Sequence, residues 1–130
     1  MDVRLFDADR DYAILCKWWE AWKWTPVPLM FLPKIGFIVS NKGQDVCAGF
    51  LYQSDSKMAM ADWYISAKGI KKDVRKGCLD MLIDALCDAA RSLGYLAVVS
   101  ATRNESLTTK LESMGFIPEG GTVKHLTKVL

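Results

Sequence analysis

Histidine occurs once, at His125, and the four cysteines include no Cys-x-x-Cys pair, so neither a zinc-ligand spacing nor a disulfide framework is present. No metal site is expected. Cys16, Cys47, Cys78 and Cys87 are read as reduced, mostly buried thiols, because free cysteine behaves as a small apolar residue. No stretch approaches the roughly 18 consecutive apolar residues that a membrane span requires. The opening Met-Asp-Val-Arg-Leu-Phe-Asp is acidic where a secretory leader is basic, so the expectation is a cytoplasmic protein without membrane contact. An excess of one charge is also lacking. Lys and Arg number 17 against 15 Asp and Glu, a formal net charge of +2, which argues against an obligatory nucleic-acid binder. Repeats, low-complexity tracts and dividing linkers are missing too. What remains is 130 residues, 51% hydrophobic and 11% aromatic, enough for one core and too few for two, so a single domain over residues 1–130 is expected.

Along the chain, residues 3–6 are strand-like. Asp9 or Asp11 is placed to cap a helix, because a carboxylate there accepts the unpaired N–H groups of the first turn. Tyr12, Leu15, Cys16, Trp19 and Trp22 follow at helical spacing, with Ile14 and Trp18 widening the apolar face and Trp24 extending it. Pro26, Pro28 and Pro33 make residues 25–33 a stiff, apolar, non-helical connector. Residues 35–40 and 46–52 read as two strands joined by a turn containing Asn41 and Gly43. Residues 58–65 form a third, with Met58, Met60, Asp62 and Tyr64 on one face and Ala59, Ala61, Trp63 and Ile65 on the other. From Asp73, the positions of Leu79, Leu82, Ile83, Leu86, Ala90 and Leu93 predict a long amphipathic helix that stops at Gly94. Residues 96–101 are apolar up to Ser100, the pattern of a strand buried on both faces. Asn104 caps a second helix with Leu107, Leu111 and Met114 inward and Gly115 at its end. Residues 116–117 and 123–129 supply the last strands. The predicted order is β-α-β-β-β-α-β-α-β-β.

That order, together with Asn104, the Gly115-Phe116 pair eleven residues on and Gly94-Tyr95 closing the long helix, resembles the GNAT-type N-acetyltransferase fold over nearly the whole chain. The short tryptophan-rich start is also similar to small GNAT-like proteins encoded by tailed phages. The resemblance implies an α+β (α/β) architecture: a mixed central sheet of six to seven strands, flanked by helices and splayed between the fourth and fifth strands. It also implies acetyl-CoA as cofactor. Family members open the long helix with Gln or Arg, then x-x-Gly-x-Gly or Ala, where backbone N–H groups approach the pyrophosphate. Here only Gly77 survives, with Val74 and Leu79 at the other two places. Lys71, Lys72, Arg75 and Lys76 lie in the same stretch and offer phosphates direct charge attraction instead.

Many members protonate the departing thiolate with a Tyr on the last helix, and Leu111 occupies that place. A thiol with a pKa of about 8.5 leaves reasonably well as its anion. The reaction still needs a neutral amine and stabilisation of an oxyanion. The family supplies the latter from backbone N–H groups on the strand before the long helix, which corresponds to Tyr64, Ile65 and Ser66. Carboxylates on this strand act as general base in many relatives, which points to Asp62, with Tyr64 beside it. Asn104 and the cations Lys72, Arg75 and Lys76 join Gly77, Ile65 and Ser66 as the implied cofactor contacts. Trp18, Trp24 and Phe31 fall where relatives build the acceptor-side wall. The implied acceptor is a small-molecule or protein primary amine, with nucleic acid not expected and self-association through the tryptophans open. The competing reading is a catalytically inactive GNAT-fold binding or structural module, which the eroded glycine loop and the missing Tyr favour.

Overall fold

The computed structural model describes residues 1–121 and 123–130. It comprises two compact units, Met1–Ser100 and Ala101–Leu130, which are taken in turn.

The first unit runs β1 (Asp2–Leu5), α1 (Ala8–Ala21), a 3-10 turn (Leu29–Phe31), β2 (Ile35–Asn41), β3 (Gln44–Tyr52), β4 (Met58–Ser66), α2 (Lys72–Ser92) and β5 (Ala97–Val99). The five strands form one sheet in the order β1-β2-β3-β4-β5, antiparallel except for the last pair, which is parallel. The hairpin between β2 and β3 is tighter than its sequence suggests. Lys42 and Gly43, at φ 51 and φ 77, make the turn, and their positive φ matches the twist of the flanking strands.

Helix α1 is capped by Asp7, whose side chain accepts from the Asp9 and Arg10 amides, so neither Asp9 nor Asp11 is the cap. Asp11 instead points inward. Leu15 and Trp19 of α1 close over Ile38, Ala48, Phe50 and Ile65 on one side of the sheet. On the other, Cys78, Leu82, Leu86 and Ala90 of α2 pack on Val39, Val46, Cys47, Leu51, Ala59 and Ala61. The sheet therefore has a buried layer on each face, each side chain of Leu or Ile contributing about 1.5–3 kcal/mol when fully removed from water. All four cysteines are free thiols, and burial raises the pKa of Cys47.

The strand expected over residues 96–101 is shorter and more exposed than predicted. Only Ala97–Val99 pairs, and Leu96 is 84% exposed. Strand β5 pairs in register with the first three residues of β4, and the Leu96 and Ala97 amides donate to the Lys57 carbonyl just before them, which leaves β5 at the margin of the sheet rather than between two neighbours.

In the second unit, the Asn104 side chain caps α3 (Glu105–Ser113) by accepting from the Leu107 amide at 2.9 Å. Gly115, at φ 95, follows the helix end, and Leu111 is the buried residue of α3. Residues 116–117 and 123–129 form no strand among the described residues, so the sheet has five strands rather than six or seven. An apolar segment becomes a strand only where a neighbouring edge takes up its backbone groups; Val123, Leu126 and Val129 recur at every third position rather than alternating, and Leu126 stays 92% exposed. Among the described residues, no helix is long and apolar enough to cross a membrane.

Candidate functional site

Strand β4 is paired to β3 from Met60 to Ser66, but to β5 only at Met58, Ala59 and Met60. Beyond that point the two strands part. The partner of Phe50 is Asp62 and that of Ala48 is Ile65, so Trp63 and Tyr64 together stand opposite Gly49, which is a β-bulge. Trp63 adopts φ 56, a left-handed conformation that costs a non-glycine residue on the order of 1–3 kcal/mol. The bulge resets the alternation of the strand. Ala59, Ala61 and Tyr64 pack under α2, whereas Trp63 and Ile65 pack with α1. Asp62, next to Ala61, falls on the side opposite α2, so Asp62 and Tyr64 do not share a face as simple alternation predicts. Gly49 makes room for this arrangement, since a Cβ there would meet Leu82, Leu86 and the Tyr64 ring, each at 3.3 Å.

The Ala67 amide donates to the Val46 carbonyl at 2.8 Å, and Ile65 lies two residues before it in the same ladder. Backbone groups alternate along an antiparallel pair, so Ile65 and Ala67 turn toward β3 while Tyr64 and Ser66 turn toward the edge that β5 has left. The site thus presents two amides, those of Tyr64 and Ser66, to the opening. A short chain of hydroxyls spans the start of this opening. Ser100 Oγ donates to the Ala61 carbonyl at 2.9 Å, which uses its only proton, so the Tyr64 hydroxyl is the donor to Ser100 Oγ at 3.0 Å. Burial pushes the Tyr64 phenol up to about 12, and it keeps its proton at neutral pH.

On the other face, Asp62 is half-buried and its Oδ1 accepts from the Trp63 amide at 2.7 Å. The Trp63 indole donates to the Tyr52 hydroxyl at 2.6 Å, and that hydroxyl donates to the Phe31 carbonyl at 2.6 Å. These bonds tie the Leu29–Phe31 turn to the bulge and bring exposed Phe31 to the side of the sheet that carries Asp62. Trp63 does not figure among the sequence-derived site residues. Nothing in a period-two pattern marks a bulge whose left-handed residue is a tryptophan.

At the far end of β4 the Trp22 indole donates to the Ser66 carbonyl at 2.7 Å. Trp24 stacks on Trp22 with ring centroids 5.8 Å apart, and Lys68 Nζ lies 4.8 Å from the Trp22 ring centre. Trp18 packs against the cluster under α1. The three residues expected to build one wall therefore occupy three places: Trp18 at the core, Phe31 at the bulge, Trp24 at the end of β4.

Helix α2 starts at Lys72 with Lys71 as an N-cap that offers no side-chain bond. Its first intrahelical amide is that of Arg75, bonded to the Lys71 carbonyl at 2.9 Å, which leaves the amides of Lys72, Asp73 and Val74 outside the helix's own ladder. Lys72 and Lys76 are exposed and Arg75 is half-exposed. Gly77 lies in the second turn, where a Cβ would come within 2.7 Å of the Met1 methyl group, so its missing side chain serves packing against Met1. Asn104, in the second unit, is engaged as the cap of α3.

No family model matches the sequence, and no curated protein matches it. Solved structures do match in fold. Rv2747 from Mycobacterium tuberculosis, in complex with CoA, aligns with a TM-score of 0.75 at 17% identity over 96% of this chain and 76% of that one. An aminoglycoside N-acetyltransferase in complex with CoA aligns with a TM-score of 0.67 at 13% identity over 98% of this chain and 100% of that one. A ribosomal-protein-alanine N-acetyltransferase from Brucella melitensis biovar Abortus 2308 aligns with a TM-score of 0.68 at 16% identity, covering 98% and 99% of the two chains. The mixed sheet that opens between β4 and β5 is thus the fold of the GNAT acetyltransferases.

Proposed function

We propose that the protein is an N-acetyltransferase that moves an acetyl group from acetyl-CoA to a primary amine by direct attack. The observation that supports this most is the unpaired edge of β4 beyond the bulge, where the Tyr64 and Ser66 amides are left without a strand partner. Unpaired, fixed donors of this kind fit an acyl-CoA, and the uncapped start of α2 with Lys72, Arg75 and Lys76 fits its phosphates. When bound, acetyl-CoA supplies an activated acyl group. The Tyr64 and Ser66 amides donate to the negative charge that builds on a carbonyl oxygen under attack. One such preorganised donor is typically worth about 2.7–4 kcal/mol of barrier. Asp62 takes the proton from the incoming ammonium, and its bond to the Trp63 amide holds the carboxylate in place. Tyr64 stays a neutral donor to Ser100 and links β4 to the end of β5 at the point where they part.

The competing reading, a binding module without catalysis, is favoured by Gly77 being spent on a contact with Met1 and by the absence of a hydroxyl at Leu111. Thermal melts separate the two at their first step. Acetyl-CoA at 100 times its Kd adds about 2.7 kcal/mol to folded-state stability, which raises Tm by several degrees. Thiol release in the presence of amines then reports transfer. An unchanged Tm at millimolar acetyl-CoA contradicts the enzyme reading. A shift with no thiol release from any amine tested leaves the binding module.

A further inference from the structure

Strand β1 ends the sheet on the side away from the opening, and among the described residues β2 is its only strand partner. The two strands run from Asp2 opposite Ser40 to Leu5 opposite Phe37 without a bulge, and the Phe6 amide continues the register by donating to the Gly36 carbonyl at 2.8 Å. Backbone groups alternate along an antiparallel pair, so Asp2, Arg4 and Phe6 spend theirs on β2, while Val3 and Leu5 turn theirs outward. The Leu5 carbonyl fits this direction, since it accepts from Arg10 Nη2 at 3.0 Å. The Met1 carbonyl, antiparallel to the Asp2 amide within their peptide plane, turns outward too. Sheet edges are commonly closed to other chains by lysine, proline or a bulge, and β1 has none of these. Met1, Val3 and Leu5 are instead 55%, 43% and 62% exposed. Val3 and Leu5 stand beside Val39 and Phe37 of the layer under α2, and the Met1 methyl lies against Gly77 of that helix, so the three share one face. Arg4 turns to the other face, where it meets Asp11 and Asp45.

We infer that β1 pairs antiparallel with β1 of a second copy of this chain, about a two-fold axis at Val3, and joins two sheets into one. Val3 of each copy then exchanges N–H and carbonyl bonds with Val3 of the other, and each Leu5 amide donates to the Met1 carbonyl opposite. Met1, Val3 and Leu5 of both copies form one apolar strip. On the other face Asp2 of each copy stands opposite Arg4 of the other, which sets unlike charges together. A slip of two residues brings Asp2 against Asp2 or Arg4 against Arg4, and a slip of one exchanges the faces, so a single register satisfies both charge and apolar contact. A strand from an unrelated protein gains the backbone bonds but not this match along its length. Self-association thus runs through β1 rather than through the tryptophans. The short strand makes a small interface, which places the dimer at the weak, reversible end, with a Kd on the order of 1–100 μM.

Sedimentation velocity of the full chain across that concentration range, with amide hydrogen exchange by NMR at its two ends, tests the pairing. The wild type goes from monomer to dimer. The Val3 and Leu5 amides exchange more slowly as concentration rises, whereas the Arg4 amide is protected throughout. Val3→Pro removes an N–H that β2 does not use, one from each copy, and weakens association roughly 5- to 150-fold. Asp2→Lys sets like charges opposite each other and weakens association by an amount that shrinks at high salt. Far-UV spectra and Tm check that the variants fold, and Asp2→Lys, which leaves the backbone donors in place, carries the test by itself if proline disturbs the strand. A monomer across the whole range overturns the inference. So does a dimer whose affinity is the same in Asp2→Lys as in the wild type, or one in which the Val3 and Leu5 amides exchange as fast as in the monomer, because it forms through another surface.

Discussion

Asp11 shows how one residue sets a condition on the whole first unit. It is fully buried, and burial by itself raises a carboxyl pKa. Hydrogen bonds from Arg10, from the Asp7 amide and from Arg4 outweigh that and hold the carboxyl at about 2. Arg4 in turn forks onto Asp45 at 2.7 and 3.0 Å, tying β1 and α1 to the β2–β3 hairpin. A pKa lower in the folded than in the unfolded chain stabilises above the unfolded value and is lost as pH falls through the folded one. Urea midpoints are therefore expected to drop between about pH 4 and pH 2, with a contribution on the order of 2 kcal/mol from this group. Asp11→Asn lowers stability at pH 7 by about 2 kcal/mol, because a neutral amide replaces the buried carboxylate that accepts charge-assisted bonds from Arg4 and Arg10, and it flattens the acid limb. An acid limb as steep as that of the wild type removes Asp11 as its source. Gly36 sets a condition of a different kind. A Cβ there would come within 2.5 Å of the buried Phe50 ring, so Gly36→Ala costs about 1–3 kcal/mol in chemical denaturation. Neither effect is legible in the sequence, where Asp11 looks like a helix cap and Gly36 like one more glycine in a strand.

Among the elements, α2 was the most legible. The 3.6-residue period picks out Leu82, Ile83, Leu86 and Ala90, all of which are buried, because a helix on a sheet has one face and few ways to use it. The same pattern overreaches at its end, where Leu93 follows the helix as its C-cap and is 48% exposed. Leu82→Ala is expected to cost about 2–5 kcal/mol, and Leu93→Ala to stay within about 0.5 kcal/mol, in matched denaturation curves. Comparable losses at both positions contradict the packing described for α2. Strand β4 was less legible. Its apolar alternation predicts one face for Asp62 and Tyr64, and the bulge at Trp63 puts them on two. Bulges that use glycine leave a mark in the sequence, but this one is held by tertiary contacts, the Trp63–Tyr52–Phe31 hydrogen bonds and the space left by Gly49.

At the scale of the molecule, the order of elements through β5 and α3 could be read from hydrophobic period and turn residues, and that order carried the likeness to the acetyltransferase fold. The last strands could not. Residues 123–129 carry apolar side chains at every third position, Val123, Leu126 and Val129, and pairing in any case depends on an edge elsewhere in the fold, which no local pattern reports. The candidate site was legible in the same uneven way. The cations Lys71, Lys72, Arg75 and Lys76 stand out in the sequence because charge is a side-chain property. The open amides of Tyr64 and Ser66 do not, because every residue but proline carries the same backbone donor and only topology decides which are left unpaired.

That open edge is the feature from which the proposed chemistry follows, and amide-resolved NMR of the full chain during a titration with acetyl-CoA tests it directly. In the free protein the Tyr64 and Ser66 amides should exchange with solvent faster than those of Ile65 and Ala67, and on titration they should show the largest shifts along β4. Protection of Tyr64 and Ser66 equal to that of Ile65 and Ala67, or saturation with acetyl-CoA that leaves both resonances in place, would contradict the account.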